Sequence, residues 1–138
     1  MVDGVIMMKK HVIILSTVLV LLLGGFLVFN IFVPKTNIST TTASLTYIYD
    51  GRDINTSLSN EEGELLKNIF NDKRLYSDDP SCGFTEDVSI RFEDMVFCIA
   101  CDNCPIVKLG SKYFKISTTD RKTVEQIFEK YGGSFPCV

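Results

Sequence analysis

The sequence predicts an α+β fold: an N-terminal transmembrane helix followed by a small two-layer domain. That domain is an antiparallel sheet of about five strands with two helices, in the order strand, helix, hairpin, hairpin, helix. Three observations carry the expectation. One is an uncharged apolar run near the N-terminus. The second is a set of short alternating segments punctuated by turn residues. The third is a pair of capping-box patterns, each opening a segment with helical apolar spacing.

The run is Val12 to Val33, "VIILSTVLVLLLGGFLVFNIFV", 22 residues without a charge. As a helix it would be about 33 Å long, enough to cross a bilayer core. A cleaved secretory signal has a shorter apolar stretch of about 7–15 residues and a small-residue cleavage site. The length favours an uncleaved signal anchor. Cleavage near "TTAS", Thr41 to Ser44, would instead give a secreted domain. Lys9 and Lys10 precede the run and Lys35 alone follows closely. That bias places the N-terminus in the cytoplasm and the C-terminal domain outside it. The resulting division is 1–11 cytoplasmic, 12–33 anchor, 34–44 polar linker and 45–138 extracytoplasmic domain. "MMKKHVIIL" also reads as a start, which makes Met7 or Met8 an alternative initiator to Met1.

In the domain, "LTYIY" alternates from Leu45 to Tyr49 and reads as a strand. "DGRDINTS" follows as a turn or loop. Ser59 with Glu62 opens a helix whose apolar stripe is Leu65, Leu66, Ile69 and Phe70; Gly63 weakens it by about 1 kcal/mol relative to alanine. Residues 71–87 are rich in turn formers and read as one long loop, a length that usually signals a functional or tethered segment. "VSIRF" and "MVFCIA" pair as a hairpin with Phe92 opposite Met95 and Ile90 opposite Phe97, which puts all their large apolar side chains on one face. "PIVKL" and "KYFKIS" flank Gly110-Ser111, a second hairpin. Ser117 with Asp120 caps a helix carrying Val124, Ile127, Phe128 and Tyr131, stopped by Gly132-Gly133.

Composition excludes several function classes. After Lys35 there are 11 basic and 16 acidic residues, a formal charge of −5. This suits no nucleic-acid partner, because phosphate binding needs a basic footprint. The single histidine, His11, precedes the apolar run, so the domain has no imidazole base. Ser-His and Cys-His nucleophiles and histidine-based zinc hydrolase sites cannot be assembled from it. The expectation leans away from an enzyme, with no catalytic residue assigned. The partners expected are the membrane, crossed once, and a protein or small ligand outside it.

The cysteines are Cys82, Cys98, Cys101, Cys104 and Cys137. Cys98, Cys101 and Cys104 form a C-x-x-C-x-x-C run. A ferredoxin-type run would place its fourth cysteine at position 108, where this chain has Lys108. A thioredoxin-type pair opens a helix, but "CDNC" is followed by a strand pattern. In an oxidising compartment all five are disulfide candidates, with Cys82 tethering the long loop and Cys137 the tail. Cys98 has the opposite parity to Phe97 and Ile99, so it faces away from the main core. No cofactor is favoured. The alternative is a thiol-redox or metal protein, with zinc or an iron–sulfur cluster on Cys98, Cys101 and Cys104 plus Cys82 or Cys137. The reading is therefore a membrane-anchored extracytoplasmic binding or structural envelope protein stabilised by disulfides.

Overall fold

Alternation and turn chemistry build one six-stranded antiparallel sheet in the computed structural model, which describes residues 14–28 and 33–134. The elements are α1 (residues 14–28), β1 (Ser44–Tyr49), β2 (Arg52–Ser57), α2 (Asn60–Phe70), β3 (Val88–Phe92), β4 (Met95–Ile99), β5 (Ile106–Leu109), β6 (Lys112–Lys115) and α3 (Thr118–Lys130). Strand order across the sheet is β2-β1-β3-β4-β5-β6. The chain divides into two units between Val33 and Pro34.

Unit one contributes α1, whose large apolar side chains are exposed, Leu15 at 77%. Among the described residues no helix is long and apolar enough to cross a membrane. The expected span over 12–33 is therefore not met there. Both of its ends, 12–13 and 29–32, lie outside the described residues.

The second unit has six strands rather than about five, because "RDINTS" is strand β2 and not a loop. Asp50 and Gly51 both adopt positive φ, 51° and 74°, the backbone that a two-residue hairpin turn requires. β2 reads as a loop because Ile54 is its sole large apolar residue. The β3–β4 register is as expected: Phe92 pairs with Met95 and Ile90 with Phe97, across a two-residue turn in which Glu93 takes a φ of 47°.

Residues 34–43 are not a free linker; the compact unit starts at Pro34. Polar side chains hold this arm against the end of α2. Thr36 Oγ1 donates to the Phe70 carbonyl at 2.6 Å, and Asn71 Oδ1 accepts from the Ile38 N–H at 2.8 Å. Ile38 and Ala43 are thereby buried. Gly63 explains the close approach. A Cβ there would lie 1.8 Å from the Thr41 carbonyl oxygen, so only glycine lets the arm cross the helix.

Both α2 and α3 cover one face of the sheet. Phe70 of α2 stacks on Phe97 at 5.1 Å, and Phe128 of α3 meets Tyr47 edge-on at 6.1 Å. Leu66, Ile69 and Phe70 join the core; Leu65 does not, and remains 43% exposed on the outer side of α2. Both expected capping boxes form, at Ser59/Glu62 and Ser117/Asp120. Glu62 does more than cap: its carboxylate accepts from Lys130 Nζ at 2.6 Å and from the Tyr131 hydroxyl at 2.8 Å, joining the start of α2 to the end of α3. Burial opposes its charge, but the bonds from Lys130, Ser59 and Tyr131 outweigh that and lower its pKa to about 2.

Two outcomes test this packing. Gly63→Ala should lower stability by about 2–3 kcal/mol in denaturant melts, because backbone overlap outweighs the gain in helix propensity. Glu62→Gln should cost about 1 kcal/mol at neutral pH, since the Lys130 side chain is 62% exposed and its attraction is screened. A carboxyl with a depressed folded-state pKa stabilises above its unfolded value. The gap between wild type and Glu62→Gln should thus be full above about pH 4.5 and close as the pH falls toward about 2.

Candidate functional site

Side-chain parity turns the opposite face of the sheet away from both α2 and α3. Ser89 and Arg91 of β3, Val96 and Cys98 of β4, Lys108 of β5 and Tyr113 and Lys115 of β6 point there, as the pairings Ser89↔Cys98, Cys98↔Lys108 and Lys108↔Tyr113 require. The long segment 71–87 closes much of this face, and its anchors can be followed in order. Tyr76 and Tyr113 exchange backbone hydrogen bonds at 2.9 Å, extending the β6 edge. Lys112 Nζ donates to Ser77 Oγ at 2.6 Å, and the Tyr113 hydroxyl to Asp79 Oδ1 at 2.7 Å. Cys82 is disulfide-bonded to Cys104. The Cys101 N–H then donates to the Gly83 carbonyl at 2.9 Å. The Phe84 ring lies 5.6 Å from that of Tyr113, and Ser89 Oγ donates to the Glu86 carbonyl at 2.6 Å just before β3 begins.

Between this loop and strands β4 and β5 lies an open groove of ≈ 520 Å³. Phe84 and Val96 give it apolar walls, Cys98 lines it, and Glu86, Asp94 and Lys108 bring charge to it. Cys98 faces away from the main core, as its parity predicts, yet it is only 5% exposed because the loop covers it. Burial, then the Glu86 charge, push its thiol pKa up, against weaker opposing effects of Lys108 and Arg91. A raised thiol pKa together with burial lowers its reactivity as a nucleophile. Two tyrosines, Tyr113 of β6 and Tyr76 of the loop, are also shifted upward: Tyr113 by its bond to Asp79, Tyr76 by burial and then by the Asp78 charge.

The cysteine run does not converge as a unit. Among the described residues the group able to hold a metal ion is Cys82, Asp102 and Cys104, whose ligand atoms lie within 4.8 Å of one another; Cys98 and Cys101 are not in it. Cys137 and His11 lie outside the described residues. The turn carrying Cys104 is braced from two sides. Asp102 Oδ1 accepts from the Cys104 N–H at 3.0 Å, and Arg121 Nη2 of α3 donates to the Asp102 carbonyl at 3.0 Å. Arg121 is 3% exposed and pairs with Glu125 through Nε at 2.8 Å. Neither Asp102 nor Arg121 stands out in the sequence; an arginine among the polar residues of an amphipathic helix gives no sign that it will be buried.

Comparison with family models, with curated proteins and with solved structures gives no match.

The cover over Cys98 is testable by alkylation followed by peptide mapping. In the native oxidised protein Cys98 should resist iodoacetamide. In Cys82→Ser/Cys104→Ser its labelling should rise by about tenfold or more, because the loop then opens by a local fluctuation. Labelling of native Cys98 at the rate of an exposed thiol would contradict the arrangement.

Proposed function

We propose that this chain is a membrane-anchored binding module. Its folded domain stands outside the membrane and takes up a ligand or a partner segment in the groove on the loop-covered face. The observation that carries the binding role is the groove itself: it combines apolar walls with both signs of charge, the composition of a recognition site for a mostly apolar ligand with polar ends. The anchor reading is supported by the uncharged run over 12–33 and by the exposed apolar surface of residues 14–28, which in water would demand cover by lipid or protein. The lysines before the run orient it, and the Cys82–Cys104 bond suits an oxidising compartment.

One experiment addresses both halves. A photo-crosslinking residue is placed at Lys108 in the full chain in its native membranes, with a control placement at Glu125 on α3. The chain should resist alkaline extraction from the membrane. An adduct should form from position 108 and not from 125, and Val96→Trp, which fills the groove, should abolish it. Release by alkaline extraction would remove the anchor. Equal adducts from both positions, or an adduct indifferent to Val96→Trp, would remove the groove as the binding site.

A further inference from the structure

Disulfide formation uses only one capacity of the residues that hold the loop. Two sulfurs and a carboxylate converge at the turn after β4, a donor set suited to a borderline-soft divalent cation of the zinc class. We propose that the reduced chain binds such a cation through Cys82, Cys104 and Asp102, so that metal and disulfide are alternative clasps for the same loop.

The geometry favours this because hydrogen bonds, in addition to the covalent bond, hold the two sides of the site together. The Cys101 N–H to Gly83 carbonyl bond at 2.9 Å keeps the loop, one residue after Cys82, against the turn. The Ser89 hydroxyl holds the loop again at Glu86. On the other side, the Cys104 N–H fixes the Asp102 carboxylate, and buried Arg121 fixes its carbonyl. Supporting hydrogen bonds of this kind orient metal ligands in general. The loop that must close is short, since Cys82 and Cys104 are 22 positions apart in sequence with their Cα atoms 6.4 Å apart.

The chemistry balances with a dithiol as reductant. It supplies two electrons and two protons, the Cys82–Cys104 bond breaks, each sulfur takes one proton, and the dithiol closes to its own disulfide. Binding of the cation expels the two protons to solvent and leaves two thiolates and one carboxylate around it. Water completes a tetrahedral shell. The newly made chain, before oxidation, presents the same thiols. Cys98 takes no part, because strand parity holds it on the covered face, opposite Ser89 and Lys108.

The test uses the full chain in detergent, reduced with a phosphine that does not compete for metal, and zinc alone as the ligand. Native mass spectrometry and chelator competition should show one zinc per reduced chain and none on the oxidised chain. Asp102→Asn should weaken binding by about tenfold or more, the order seen when even a supporting group of a metal ligand is lost. Cys98→Ser should bind as wild type does. Cobalt as a substitute gives a readout independent of variant folding: its sulfur charge-transfer band should have the intensity of two thiolates. Absence of stoichiometric zinc, wild-type affinity in Asp102→Asn, dependence on Cys98, or a cobalt band of three or four thiolates would each overturn the proposal.

Discussion

Closure of the loop 71–87 over the sheet face that α2 and α3 leave uncovered is the constraint on which the groove depends. The loop contributes no regular ladder beyond two single bridges, Arg74 with Lys35 and Tyr76 with Tyr113. Backbone bonds tie residues 72–75 to the N-terminal arm and Gly83 to Cys101; the rest of its order comes from a few side-chain bonds and the link from Cys82 to Cys104. Ordering backbone costs about 1–2 kcal/mol per residue, so a segment of this length needs either a packed core of its own or a restriction of its unfolded freedom. Phe84 gives it little of the first. The disulfide supplies the second, on the order of 3 kcal/mol for a closed loop of this size. The groove, the buried state of Cys98 and the raised pKa values of Tyr76 and Tyr113 all follow from that closure.

The helix-covered face is held differently. There the ordinary hydrophobic core does most of the work, with Phe70, Phe97, Phe114 and Phe128 fully buried. Its specific features are polar. Glu62 ties two helices together, and the Thr36 and Asn71 side chains stitch the N-terminal arm to the end of α2. A domain near 100 residues has limited apolar area to bury. Placing directional contacts where elements end is an economical way to fix their relative positions.

How much of this the sequence discloses depends on whether a feature is local. The β3–β4 register is legible because alternation and a two-residue separation leave one arrangement that buries Phe92, Ile90 and Phe97 together. Both capping boxes are legible because their partners are three residues apart. β2 is legible only from Asp50-Gly51, whose turn chemistry outranks the polar composition after it. The packing of residues 34–43 is not legible, because a Thr-rich stretch looks alike whether it is solvated or bonded to a distant helix end. Gly63 carries a misleading local signal: it is poor for the helix and necessary for the crossing of Thr41. At the site, Cys82 as a tether and Cys98 as outward-facing follow from spacing and parity. The choice of Cys104 as partner, the neighbouring Asp102 and the bracing Arg121 come from the path of the chain in space, which no spacing rule encodes.

The most direct measurement of the central claim is amide hydrogen exchange on the metal-free protein, oxidised against reduced. If the Cys82–Cys104 link governs closure of the loop, reduction should speed exchange at the few protected amides anchored by or to it, Tyr76, Cys101 and Tyr113, while the amides pairing β1 with β3 keep their protection. Unchanged exchange at those three amides after reduction would contradict the account.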